Sequence, residues 1–331
     1  MKTEVWRIDP THPDAQLLAK AGEIVRCGGL VAMPTETVYG LAASAIDASA
    51  VERIFAAKGR PATNPVIVHV LDLDAMRPLV AYLPDSAIRL AERFWPGPLT
   101  IVAPKSDAVP AIVTAQGPTV AVRAPSHPVA RGLLAAAGIP LAAPSANRSN
   151  ALSPTRAEHV LRGLDGRIDL VLDAGPTPGG IESTVVDVTC SPPRLLRPGI
   201  ISPSELEAVL GPIARRSEES AGPLRSPGML KKHYAPQTPL EVSAESEKRV
   251  RELATAGRCV GWLRWADHVE IPGVVVLLLP GDPVGYAAGL FTALHELDAL
   301  SLDRIVVEAP PEGDAWLGVH DRLSRACGRN P

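Results

Sequence analysis

Apolar residues recur along this chain in two rhythms. After Thr11, a predicted N-cap, Leu17, Leu18, Ala21, Ile24 and Val25 keep the three-to-four spacing of a helix with one apolar face, and Gly28-Gly29 ends it. The next apolar positions come in short runs instead: LVAM, VIVHV, LTIVA, TVAVR, IPLAAP, IDLVLD, STVVDV and RLLR. Most are bounded by Pro, Gly, Asn or Ser, as buried strands are. Helical stretches alternate with them. One opens on the capping-box pattern Ser49-Ala50-Val51-Glu52 and runs to Lys58, with Gly59 as its stop. Others are DSAIRLAERF, HPVARGLLAAAG, RAEHVLRGL and SPSELEAVLG. This alternation predicts α/β layers around a twisted mixed sheet.

The pattern then breaks. ARRSEESAGPLRSPGMLKKHYAPQTP is polar and aperiodic, and reads as a linker. Beyond it RCVGWL, VVVLLL and RIVVEA read as strands, and PVGYAAGLFTALHELDAL and AWLGVHDRLSRAC as helices. A length of 331 residues exceeds the size at which one core usually keeps growing. The predicted organisation is a larger α/β domain over 1–205, a linker over 206–238, and a smaller Rossmann-like α/β domain over 239–331.

Composition narrows the classes of function. Hydrophobic residues make up 46% and charged residues 21%, with a formal net charge of -3. That balance argues against a chain-wide nucleic-acid coat while leaving a local basic patch open. The N-terminal MKTEVWRIDPTHPD lacks the apolar stretch of a signal peptide, and Val274 to Leu279 is too short to span a bilayer. Cys27, Cys190, Cys259 and Cys327 form no CxxC pair and are expected to be reduced, partly buried thiols. A soluble, cytoplasmic protein is expected. Many of the 34 prolines and 27 glycines flank the strands (MPTETVYG, WPGPLT, AAPSAN, RPG), where stiff loops are suited to holding a ligand.

Candidate chemistry gathers at those loops. Lys58 and Arg60 precede a buried strand, and read either as a solvated helix C-terminus or as a clamp for phosphate or carboxylate. Asn64 and His69 follow on the same loop and strand. PTETVYG reads as a proline turn or as a hydroxyl-lined pocket floor. Ser145 and Asn147 read as turn caps or as donors to phosphate oxygens. A glycine-rich loop precedes Ser183 and Thr184, yet no P-loop, GxGxxG fingerprint, GxSxG elbow or HExxH pair is present.

KGRP with Asn64 and His69, SAN, STVVD and RPG together resemble the YrdC-like superfamily. With SPGMLKKHYAP and the C-terminal domain, the chain resembles its long, two-domain threonylcarbamoyl-AMP synthase form. The resemblance implies a YrdC-like twisted sheet plus the smaller Rossmann-like domain. It also implies a reaction in which L-threonine, bicarbonate and ATP, with Mg2+ or a similar divalent cation, give threonylcarbamoyl-AMP and pyrophosphate. The product would pass to separate proteins that modify tRNA, so direct tRNA binding is not required. ATP contacts are implied for Arg60, Asn64, Thr119, Ser145, Ser153, Arg197 and Tyr234. Threonine contacts are implied for Thr35, His69, Arg123, the Ala143 backbone and Ser183. Lys58, Arg60, Ser145 and Asn147 form the implied catalytic tetrad, with no metal ligand from the protein itself. The linker, which carries Tyr234, is expected to act as a lid. Two rival readings are an RNA-binding module of the same fold, with Lys58, Arg60, Arg123 and Arg197 on phosphates, and a carbamoyl-adenylate enzyme lacking its further domains.

Overall fold

Short apolar runs become strands, and their pairing separates two sheets. The computed structural model describes residues 2–215, 234–265, 267 and 269–328. The first sheet contains β1 (Glu4–Arg7), β2 (Val31–Met33), β3 (Gly40–Ser44), β4 (Ile67–His69), β5 (Leu99–Pro104) and β6 (Thr119–Arg123). It continues with β7 (Leu141–Ala142), β8 (Leu170–Asp173), β9 (Thr184–Asp187), β10 (Arg194–Arg197) and β11 (Ala214–Arg215). Among the described residues the order is β1-β8-β2-β3-β7-β4-β6-β5-β9-β10-β11. Directions are mixed: β4 runs parallel to β6, while β5 is antiparallel to β6. With it go α1 (Ala15–Arg26), α2 (Ala48–Lys58), α3 (Leu73–Met76), α4 (Asp85–Phe94), α5 (Pro128–Ala137), α6 (Ala157–Leu164) and α7 (Pro203–Leu210).

Alternation along the strands decides which side chains are left for chemistry. Val68, Ile101, Val122 and Val186 join the main core. Ile67, Val102, Ala121, Val185 and Leu196 form a small separate apolar patch on the opposite face. Two residues along from members of that patch stand His69, Thr100, Thr119, Arg123 and Ser183, so all five share its face.

The second sheet holds β12 (Leu240–Ser243), β13 (Val260–Arg264), β14 (Val274–Leu278) and β15 (Arg304–Glu308), in the order β12-β15-β13-β14. Every pair in it is parallel. Its helices are α8 (Ser246–Thr255), α9 (Pro283–Asp298) and α10 (Leu317–Ala326). The core beneath α9, with Leu290, Phe291 and Leu294, also takes in Val38, Leu152, Ile181 and Tyr234 from outside the second sheet.

Several local expectations are corrected. Helix α1 is capped by Asp14, whose carboxylate accepts from the N–H groups of Gln16 and Leu17, and Thr11 instead bonds to Asp9. Helix α2 is capped by Asp47 rather than by a Ser49 box. Strand β3 escapes a pattern search because GLAAS is small and buried throughout, without alternation. Strand β1 is missed for the opposite reason, being mostly exposed. Cys27 and Cys259 are exposed rather than partly buried. No helix among the described residues is long and apolar enough to cross a membrane. Of the expected lid, SPGM, Lys231, Lys232 and His233 lie outside the described residues.

Candidate active site

The end of α2 delivers the first cation. Gly59 takes a left-handed φ of 62°, stopping the helix and turning the chain. Lys58 is thereby buried, and its Nζ donates to the carbonyls of Ser145 and Asn147, at 2.5 Å each. Burial, then the charges of Arg60 and Arg148, holds its pKa well below the ordinary lysine value. Lys58 thus ties the α2 end to the segment after β7. Ser145 is half-buried there. The Asn147 side chain donates to the carbonyls of Arg148 and Ala151, and its Oδ1 has no hydrogen-bond partner.

Arg60 folds back over its own loop. Its Nε donates to the carbonyl of Asn64 at 3.1 Å and its Nη2 to that of Pro65 at 2.6 Å. Burial and the nearby charge of Arg197 bring its pKa down to about 10. Asn64 is buried, yet neither its Oδ1 nor its Nδ2 has a partner. A buried amide left this way costs about 1–3 kcal/mol per orphaned group, which marks a position prepared for a ligand.

Strand register builds the neighbouring cluster. His69 on β4 lies directly opposite Arg123 on β6. Burial, then the Arg123 charge, drives the His69 pKa down to about 3, so the ring is neutral, with Nδ1 unpartnered. Arg123 is gripped on two sides: Nε donates to the Gly97 carbonyl and Nη1 to the Thr37 hydroxyl. Its Nη2 faces Glu36 Oε1 at 2.7 Å, an ion pair without hydrogen-bond alignment. Thr35 is spent locally, donating to the Val38 carbonyl and sharing a hydrogen bond with Thr37. The Ala143 N–H is committed to the Ile67 carbonyl, so any further backbone contact there must use the Ala143 carbonyl.

Ser183 and Arg197 connect this cluster to the next. The Ser183 hydroxyl shares a hydrogen bond with Thr100 and accepts from Arg197 Nη2. A register shift between Leu195 and Arg197 sets Arg197 opposite Val185, on the face that carries His69 and Arg123. Arg197 also donates to the Ser183 carbonyl and, at 3.5 Å, to the Tyr234 hydroxyl. Burial raises the Tyr234 pKa, and Tyr234 sits at a left-handed φ of 59°. Ser153 is fully buried and donates to Glu182. Thr119, half-buried, opens β6 on the same face.

The sequence-predicted residues therefore fall into contact groups: Lys58 with Ser145 and Asn147, Arg60 with Asn64, His69 with Arg123, and Ser183 with Arg197 and Tyr234. Three cations, Lys58, Arg60 and Arg197, are buried, with Arg60 in electrostatic reach of the other two. Glu182, the carboxylate that acts on Lys58 and Arg197, is already bound by Ser153 and Arg322. Among the described residues no three His, Cys, Asp or Glu side chains are grouped to hold a metal ion. Glu36, Glu182 and Arg322 were not singled out from sequence. Glu36 lies inside PTETVYG, where a carboxylate between two buried threonines was an available clue. Nothing local in the sequence pairs residue 182 with residue 322.

The chain is similar to known proteins over nearly its whole length. Residues 23–199 match the family Sua5_yciO_yrdC, described as "Telomere recombination", and residues 201–328 match "Threonylcarbamoyl-AMP synthase, C-terminal domain". A Bacillus subtilis protein named threonylcarbamoyl-AMP synthase is 43% identical, covering 99% of both chains. One of the same name from Schizosaccharomyces pombe is 38% identical over 90% of this chain and 84% of its own. The crystal structure of Pyrococcus abyssi Sua5 complexed with L-threonine superposes with a TM-score of 0.92, at 39% identity and 98% coverage of both chains.

Proposed function

The chain belongs to the threonylcarbamoyl-AMP synthase family in its two-domain form, and from that premise we propose that it condenses L-threonine, bicarbonate and ATP into threonylcarbamoyl-AMP and pyrophosphate. The observation that carries this reading is the buried trio Lys58, Arg60 and Arg197 beside an amide, Asn64, with no partner of its own. Gathering three cations in one buried site is costly through desolvation and like-charge repulsion. A triphosphate would offset that cost.

Arg123 takes the threonine carboxylate on the edge that now faces Glu36, and Glu36 takes the ammonium. One internal ion pair is thus exchanged for two with the substrate. Neutral His69, Thr35, the Ala143 carbonyl and Ser183 complete the amino-acid end. Arg60, Asn64, Thr119, Ser145, Ser153, Arg197 and Tyr234 receive ATP. Once deprotonated, the threonine amine takes up the carbon of bicarbonate with loss of water, giving a carbamate. A carbamate oxygen then attacks the α-phosphorus, the bond to the β-phosphate oxygen breaks, and pyrophosphate leaves. Lys58 works mainly by fixing the Ser145–Asn147 backbone, while Arg60 and Arg197 oppose the developing phosphate charge. A divalent cation would be held by the triphosphate and water rather than by side chains of the chain, as Mg2+ commonly is. Its chemistry there is charge neutralisation.

The product is a mixed anhydride, suited to a separate acceptor machinery that modifies tRNA. Residues 1–205, continued by α7 and β11 of the same sheet, act as the catalytic domain and 239–331 as the supporting domain, with the linker between them. The test is pyrophosphate release by the full chain with ATP, bicarbonate and labelled threonine, together with detection of a threonine-bearing adenylate. Pyrophosphate release that ignores threonine would refute the reading.

A further inference from the structure

We propose that Arg322, on the last helix of the C-terminal half, is a positioning residue for the nucleotide end of the cleft. This rests on the reading of Ser153, Arg197 and Tyr234 as the ATP side. Arg322 is 1% exposed and turns most of its guanidinium contacts to that side. Its Nε donates to Glu182 Oε2 at 2.6 Å and its Nη2 to the Glu182 carbonyl at 3.0 Å. Its Nη1 donates to the Pro198 carbonyl at 2.9 Å and to Asp321 at 2.7 Å. The guanidinium carbon lies 5.3 Å from the centre of the Tyr234 ring, within cation–π range.

Apart from the one with Asp321, each contact abuts a nucleotide-side residue. Glu182 holds the Ser153 hydroxyl through its other oxygen. Pro198 follows Arg197, and Tyr234 lies under the guanidinium. A second grip comes from α9, where His295 Nε2 lies 3.1 Å from the Ser153 carbonyl. Ser153 is thus held at its hydroxyl, through Glu182, and at its carbonyl, both by helices of the C-terminal half. The helices cannot drift from these loops without opening gaps. A Cβ on Gly180 would stand 2.1 Å from the Ala287 carbonyl of α9, and one on Gly318 of α10 would stand 2.7 Å from the Gly199 carbonyl. Backbone therefore meets backbone on both sides of the Arg322 contacts.

Stability alone is a poor reason for this arrangement. Well-packed apolar residues commonly match or exceed a buried ion group in stability. A charged fork aimed at Glu182 and the Pro198 carbonyl does something an apolar plug cannot, which is to fix the Ser153 hydroxyl and the Arg197 turn relative to each other.

The experiment measures ATP and threonine dissociation constants by calorimetry on full-length Arg322→Lys, Ser153→Ala and the double variant, with thermal melts alongside. Arg322→Lys keeps the charge but loses the fork. We expect each single change to weaken ATP by about tenfold, with threonine affinity held within about twofold. The double variant should be no weaker than the worse single, because both changes break one chain of contacts. Unchanged ATP affinity in Arg322→Lys, equal losses for ATP and threonine, or multiplying effects in the double would overturn the proposal. Should Arg322→Lys not fold, Glu182→Gln replaces it with the same expectations. Because the readout is binding, failure of the unsubstituted chain to release threonine-dependent pyrophosphate would strike the synthase reading and leave this test standing.

Discussion

The two ends of the proposed site are built differently. At the amino-acid end, His69 and Arg123 are placed by the pairing of β4 with β6. Their polar neighbours Glu36 and Thr37 come from a loop of the same half. At the proposed nucleotide end, Ser153, the Pro198 carbonyl beside Arg197, and Tyr234 meet side chains reaching across from α9 and α10. The first end leaves His69 Nδ1 without a hydrogen bond and the second leaves the Asn64 amide without one, but in the second the Ser153 hydroxyl and carbonyl are both engaged before any ligand arrives. Under the proposed reading, strand register suffices to place the amino-acid pocket, whereas the nucleotide pocket has the second domain as its rear wall.

Separate substitutions can break that contrast. Arg123→Ala should have the largest effect, weakening threonine by about 2–4 kcal/mol, since it removes a buried charge-assisted fork, while ATP affinity barely moves. Equal loss of both ligands in calorimetry would erase the distinction between the ends. Lys58→Ala should come next, costing ATP affinity and turnover about ten- to a hundredfold. It frees the Ser145 and Asn147 carbonyls, and steady-state kinetics should show less change in the threonine KM. Glu36→Gln should sharpen the picture, weakening threonine several-fold, on the order of 1 kcal/mol, through loss of the ammonium partner. A tighter threonine complex would instead mean that Glu36 only blocks Arg123.

The smallest effect is a pH dependence of stability. His295 has its pKa lowered to about 4 and His69 and His159 to about 3, chiefly by burial. The rings of His159 and His295 also stack, 3.9 Å apart, where the two elements meet. Below the ordinary histidine value of 6.5 the unfolded chain takes up protons that the folded chain does not. The stability from neutral burial is therefore fully present above that pH and declines as pH falls toward 4. Urea titrations at pH 7.5 and 5 should show lower stability at pH 5, with a shallower decline in His295→Gln. Flat stability across that range would contradict the burial of these rings.

Much of this could be read from residues in order. Strand runs bounded by Pro and Gly announce β4, β6 and β9, and period two alone sets His69 and Arg123 on one face once the register is known. Lys58, Arg60 and Asn64 drew notice as cations and an amide on a stiff loop. The sequence did not show that Lys58 points at two carbonyls, because that needs the α2 end and the segment after β7 to meet. Glu36 was hidden inside a motif read for its threonines. The Glu182–Arg322 pair was out of reach, since 140 positions separate the two and only tertiary packing brings them to 2.6 Å.

The central claim is that one cleft joins an amino acid at the sheet end to a nucleotide at the interdomain end. Its most direct test is pyrophosphate release by the full chain in reactions omitting threonine or bicarbonate in turn. Release that needs both, and yields a threonine-bearing adenylate, is the predicted result. Release that persists without threonine, or none in the complete mixture, would contradict it.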